Sequence, residues 1–177
     1  MPASFEVPAD LTIRAATLLD CDTIAAIYNE GISDGNATFD EFEVGPSRYH
    51  RYLQDGSRSR LLCAVKDGIV VAWASVEPIS DRHAYRFTGH IALYVARAHR
   101  GRGIGSALQG DVEHIAIELG YHSLVSENLS NNPASTAVDL KNGYRQVGEI
   151  REAGYRNGEW IGLIVMQKIL GSDRGGA

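Results

Sequence analysis

Two dipeptides, Asp67-Gly68 and Asn157-Gly158, do most to limit what this chain can fold into. Runs rich in β-branched and aromatic residues flank each: RLLCAVK and IVVAWASVE around the first, YRQVGEIRE and EWIGLIVMQKI around the second. Asp-Gly and Asn-Gly adopt the successive left-handed conformations of a two-residue turn, so both places predict antiparallel hairpins. Between them lie a strand ending IALYV, a glycine-rich turn, a long amphipathic stretch and a second short strand, HSLVSE. A strand, helix and strand in that order close as a parallel crossover. Hairpins on either side of one crossover imply an α/β (α+β) domain. Its sheet is mixed, mostly antiparallel and of about seven strands, with helices on both faces.

The remaining elements fill in around that frame. LTIRAA (11–16) reads as the first strand, and Asp20 as the N-cap of a helix with Ile24, Ala25, Ile27 and Tyr28 on one face. Gly31 and Gly35 are expected to end it, and Pro46 to open a second helix, PSRYHRYLQ. A strand is expected from about Tyr85 to Val95. The stretch after the glycine turn places Ile104, Leu108, Val112, Ile115 and Leu119 on one helical face, with Gly110 allowing close packing. Asn131-Asn132-Pro133 opens a last helix that Asn142-Gly143 closes.

A chain of 177 residues is one domain on a scale of roughly 100–200 residues each. Its ordered part is expected over about 11–170, with tails at 1–10 and 171–177. Hydrophobic residues at 44% and charged residues at 22% exclude a disordered chain. The longest apolar run, Ile69 to Val76, falls well short of a membrane span, and the start lacks the basic and apolar regions of a secretion signal. A cytoplasmic protein is expected, with no membrane partner. Two cysteines cannot make a disulfide framework, and the six histidines show no metal-ligand spacing. A net charge of -5 argues against nucleic acid as a partner.

Against that acidic background, residues 97–102 read RAHRGR. Arg100, Gly101, Arg102, Gly103, Ile104 and Gly105 join the strand to the amphipathic helix. Alternate glycines let the backbone approach a ligand and turn its N–H groups inward, while the helix dipole and two arginines add positive charge. A pyrophosphate is the natural occupant; a glycine turn with solvated arginines is the bland alternative. A Walker loop is excluded, because no Gly-Lys-Ser/Thr follows. A dinucleotide site would need G-x-G-x-x-G where the chain has G-x-G-x-G, although Glu127 stands about where a ribose-binding acid is expected.

At these residues the chain resembles the GNAT acyltransferases, whose Arg/Gln-x-x-Gly-x-Gly/Ala signature is met by Arg100, Gly103 and Gly105. Within them it is similar to the phosphinothricin and methionine sulfoximine N-acetyltransferases through Ala37-Thr38-Phe39, Arg82-His83-Ala84-Tyr85, Leu93-Tyr94-Val95 and Gly154-Tyr155-Arg156-Asn157-Gly158-Glu159-Trp160. The resemblance covers about residues 11–170 and implies the GNAT fold, acetyl-CoA as cosubstrate, a small-molecule amine as acceptor and a homodimer. It implies that Leu93 and Val95 present backbone groups to the acyl carbonyl and the pantetheine arm. Residues Arg100 to Gly105 and Ser106 would cradle the pyrophosphate, and Asn132 and Ser135 would face the pantetheine. Phe39, Arg82, Tyr85, Tyr155 and Trp160 would line the acceptor pocket, with Arg82 on a carboxylate and Arg86 the second choice.

Three positions depart from the branch. His90 stands where it has the glutamate assigned as base; a histidine can accept the proton but cannot hold a cationic amine by charge. Asp139 stands where many GNAT enzymes have a tyrosine or histidine as general acid; Tyr94, Tyr85 and Tyr144 are substitutes in principle, but each reads better as a packing residue. Gly162 replaces an aspartate. Two other readings therefore stay open: a non-catalytic acyl-CoA-binding sensor and a nucleotide-binding enzyme using Glu127. Cys63, within RLLCAVK, reads as a core thiol rather than a nucleophile, and Tyr49 and Tyr52 as packing.

Overall fold

In the computed structural model, which describes residues 10–54 and 58–171, seven strands form one sheet in the order β1-β2-β3-β4-β5-β7-β6. The strands are β1 (Leu11–Ala15), β2 (Arg60–Lys66), β3 (Ile69–Pro78), β4 (Thr88–Val95), β5 (Ser123–Leu129), β6 (Arg145–Arg156) and β7 (Glu159–Ile169). Only β4 and β5 run parallel; every other neighbour is antiparallel. The mixed sheet expected from the two hairpins is the sheet observed. Both turns hold their residues left-handed, Asp67 and Gly68 at φ 50° and 77° and Asn157 and Gly158 at 53° and 84°.

Helix α1 (Cys21–Asp34) lies on one face, and α2 (Ile104–Glu118) and α3 (Pro133–Lys141) on the other. Ile104, Leu108 and Val112 are buried and Ile115 and Leu119 partly buried, as the periodicity of α2 requires. Among the described residues no helix is long and apolar enough to cross a membrane.

Several local expectations are corrected. PSRYHRYL (Pro46–Leu53) is a 3-10 helix, not an α-helix. Its buried side chains are Tyr49 and Tyr52, whose spacing of three is the repeat of that helix, and Tyr49 packs edge-on to Trp73 at 5.3 Å. The strand expected from Tyr85 starts at Thr88. His83–Tyr85 form a 3-10 turn instead, since β3 ends at Pro78 and leaves them without a partner strand. Asp20 is the N-cap residue of α1, as expected, but its side chain does not bond the first turn of that helix. Its carboxylate accepts hydrogen bonds from the Arg14 guanidinium (2.8 Å) and from the Thr17 N–H (2.7 Å), which hold it well below the usual carboxylate range.

Gly31 lies inside α1, where a Cβ would sit 3.0 Å from Ala37 and 3.3 Å from Tyr94; Gly35 alone ends the helix, at φ 77°. Gly110 has open space where a Cβ would project, so it does not serve close packing. The long hairpin also exceeds YRQVGEIRE: β6 runs to Arg156 through two register shifts, with Glu152 at φ 51°. Cys63 is fully buried and its thiol is pushed up to about 12 by burial, so it is no nucleophile. The tails expected at 1–10 and 171–177 lie, Asp10 and Gly171 apart, outside the described residues.

Candidate active site

The site starts where the parallel pair comes apart. β4 and β5 are in register from Thr88↔Ser123 to Ile91↔Ser126, and there the pairing stops, though β4 continues to Val95 and β5 to Leu129. Antiparallel ladders alternate which side a residue's peptide groups face. The Ala96 N–H bonds to Val71 and the Ile79 N–H to Thr88, so residues 90, 92 and 94 bond to β3 while 91, 93 and 95 turn toward β5. The backbone groups of Leu93 and Val95 therefore face the opening. Arg100 Nε occupies the Val95 carbonyl at 2.9 Å. A cleft of about 740 Å³ fills the gap between the strands and reaches from the glycine turn to His90.

At one end stands the N-terminus of α2. Gly103, at φ 77°, is its N-cap and offers no capping side chain, and the helical bonds begin with the Ala107 N–H to the Gly103 carbonyl. The N–H groups of Ile104, Gly105 and Ser106 thus remain as first-turn donors aimed at a ligand. A Cβ on Gly105 would touch Leu93 at 3.4 Å and Val95 at 3.6 Å, so its smallness sets the helix against β4. Gly101, Gly103, Ile104, Gly105 and Ser106 all line the cleft.

The arginines behave differently from their sequence promise. Arg100 and Arg97 both reach Asp34 at the end of α1, each at 2.6 Å. Burial resists ionisation of Asp34, but the two arginine hydrogen bonds together outweigh it and hold the carboxyl below its usual range. Arg100 lines the cleft as a brace between α1 and the turn. Arg102 is exposed and lies outside the lining, so the donors facing this end of the cleft are chiefly backbone.

The opposite wall is α3. Asn132 caps it, its side-chain oxygen accepting from the Ser135 N–H at 3.2 Å, and both residues line the cleft. Beneath them the Ser135 hydroxyl donates to Asn128. Asn128 and Gln109 in turn donate to the two oxygens of Asp139 at 2.6 and 2.8 Å. Burial pushes the Asp139 carboxyl up, against the lowering pull of those hydrogen bonds. Asp139 thus ties α2, β5 and α3 together below the site. The sequence alone gave no sign of Asn128 and Gln109, because their role depends on a buried partner.

At the other end the lining changes to Tyr28, Thr38, Phe39, Asp40, Arg48, His90 and Glu127. Tyr28 donates to Asp40 at 2.7 Å, and Arg48 bonds the same carboxylate at 2.7 Å while lying over the Tyr28 ring. The Tyr94 hydroxyl donates to the Ala37 carbonyl at 3.2 Å and is kept far from ionisation by burial. The buried Arg156 donates to the Thr38 and Ile32 carbonyls, and the Phe39 ring lies over Gly154, where a Cβ would come within 2.4 Å of it. Loop 36–44 is thereby pinned to α1, β4 and β6.

Of the five expected acceptor residues, the structure brings only Phe39 to the cleft. Arg82, Tyr85 and the second choice Arg86 are exposed in the β3–β4 connection, which folds as a turn before β4 begins. Tyr155 and Trp160 form an exposed edge-on pair at 5.0 Å near the hairpin tip, on the face of β6 opposite Gly154 and Phe39. Alternation along the strand decides this: Gly154 takes the inward place, so Tyr155 points out. At Gly162 a Cβ would stand close to the Glu149 carboxylate, at 3.2 Å, and to the Ile150 carbonyl, at 3.3 Å, so a side chain there needs its neighbours to shift. Tyr144 is buried in the α2-side core, off the cleft.

A splayed strand pair, a helix N-terminus with free amides and a pinned acceptor loop fit a long pyrophosphate-bearing thioester lying between β4 and β5. A sheet with a single parallel pair does not suit the dinucleotide alternative. The profile of the acetyltransferase (GNAT) family matches residues 26–144. The Bacillus subtilis protein YwnH is 33% identical over 78% of this chain and 86% of its own. The L-methionine sulfoximine/L-methionine sulfone acetyltransferase of Salmonella typhimurium is 27% identical over 89% of this chain and 93% of its own. Among solved structures, a phosphinothricin acetyltransferase from Sinorhizobium meliloti in complex with AcCoA superposes with a TM-score of 0.87 at 26% identity. It covers 95% of this chain and 92% of its own.

Proposed function

Because the chain belongs to the GNAT acetyltransferase family, we propose that its acceptor is an amino acid, or an amino-acid analogue of the phosphinothricin and methionine sulfoximine kind. Acetyl-CoA, the cosubstrate of this family, supplies the thioester carbonyl that the acceptor amine attacks. Ile104 to Ser106 hold the pyrophosphate with backbone N–H groups. Leu93 and Val95 align the pantetheine arm and the acyl carbonyl along the open edge of β4, with Asn132 and Ser135 on the far wall. His90, at the other end of that edge, accepts the ammonium proton directly or through water.

One observation carries this reading: the cleft joins the helix N-terminus to an end lined by His90, Glu127, Arg48 and Phe39. A zwitterionic acceptor needs positive and negative groups close together, and this end has both. The finer expectations accompany the same reading. A second copy of the chain is the expected partner, with β6 exposed along nearly its whole length, and the cytoplasm is the expected compartment.

Acetyl-CoA-dependent thiol release tests this against L-amino acids, L-methionine sulfoximine, phosphinothricin, polyamines and aminoglycosides. Turnover concentrated in the amino-acid group is expected. Turnover confined to polyamines or aminoglycosides would overturn the acceptor class, and acetyl-CoA binding with silence across the whole panel would favour the sensor.

A further inference from the structure

His90 leaves one requirement of the proposed reaction unmet, because a neutral imidazole does not attract a cationic acceptor. The structure shows where the missing charge lies. β5 advances alongside β4 with Val125 opposite His90, so Glu127, two residues on, projects from the same face. The last paired residues, Ile91 and Ser126, sit directly between the two positions in sequence, so both side chains stand at the fork where the strands part. Glu127 Oε2 is 3.8 Å from His90 Nε2, and both residues line the cleft.

The other charged groups facing this spot are already engaged. Glu77, opposite His90 on β3, accepts from Arg51 at 3.2 Å and from the Tyr52 hydroxyl at 3.1 Å. Asp40 is bonded to Arg48 and Tyr28. Among the described residues, Glu127 has no ion-pair partner except His90. Its separation from His90 is too long for a hydrogen bond, yet two acceptors 3.8 Å apart can both be reached by one nitrogen at about 2.9 Å.

We propose that Glu127 binds the acceptor ammonium and that, with His90, it divides between two side chains the tasks of holding the charge and taking the proton. This rests on the N-acetyltransferase reading above. The ammonium donates one N–H to Glu127 and one to His90. His90 takes its proton, freeing the nitrogen lone pair, and the new imidazolium lies beside the Glu127 carboxylate. As the C–N bond forms, the C–S bond breaks with its electron pair going to sulfur. Of the two protons the nitrogen loses overall, one ends on sulfur and one in solvent.

The test compares wild type, Glu127→Gln and Glu127→Asp, using the panel amine with the highest kcat/KM. Acceptor KM should rise about 10- to 100-fold in Glu127→Gln, the range of a lost charge-assisted hydrogen bond. The acetyl-CoA Kd should stay within about twofold, which also reports that the variant is folded. Glu127→Asp should recover part of the lost KM. An unchanged KM would overturn the proposal, and so would a KM raised only in step with a weakened acetyl-CoA Kd, because Glu127 would then not act on the acceptor. A wild type that acetylates none of the amines would instead overturn the underlying reading.

Discussion

The two ends of the cleft are built from different material. At the proposed acyl-CoA end the groups facing the cleft are peptide N–H and C=O: the first turn of α2, and the edge of β4 that the divergence from β5 exposes. At the proposed acceptor end they are side chains from four places: Phe39 and Asp40 on the pinned loop, Arg48 on the 3-10 helix, His90 on β4 and Glu127 on β5. A backbone site depends on glycines and strand geometry, so it persists while most surrounding side chains change. A side-chain site changes its chemistry with one substitution. On the proposed assignment, a backbone cradle can thus be kept while His90 stands where the resemblance implies a glutamate.

The contrast can be broken most sharply at His90. His90→Ala should lower kcat/KM by about 10²–10⁴-fold, the usual share of general base catalysis. Steady-state kinetics would measure the loss; an unaltered kcat/KM would remove His90 from proton transfer. At the other end, Gly103→Val places a β-branched residue at φ 77°, a strain on the order of 1–2 kcal/mol on the cradle. Equilibrium titration should show acetyl-CoA Kd weakened about tenfold, with acceptor KM little changed.

Gly154→Ala attacks the acceptor end from behind. The added methyl would overlap the Phe39 ring, at a cost of about 1–3 kcal/mol, so acceptor KM should rise several-fold while acetyl-CoA Kd holds. The smallest effect is expected at Asp34. Its folded carboxyl is lowered, so it adds stability above the unfolded value of about 3.9 and loses it as pH falls through the folded one. Asp34→Asn should therefore cost stability at neutral pH and flatten the decline below about pH 4 in denaturation curves.

What could be read in advance follows the same division. Both hairpins, the crossover and the glycine turn that opens α2 are legible, because Asp-Gly, Asn-Gly and Arg-x-x-Gly-x-Gly are local signals of backbone conformation. Arg82, Tyr85, Tyr155 and Trp160 were expected at the acceptor and lie outside the cleft, since side-chain direction depends on where a strand starts and which residue takes the inward place. Arg48 and Glu127 carry no local signal: each gains its meaning from a residue on another element. From the sequence Glu127 reads only as a possible ribose ligand, and its nearness to His90 follows from the register of β4 and β5.

The separation of the two ends is tested most directly by titrating acetyl-CoA into the His90→Ala protein. The account predicts a Kd within about twofold of wild type beside a kcat/KM reduced by orders of magnitude. A Kd weakened in step with the lost turnover would show that His90 serves the acyl-CoA site itself, and the division would fail.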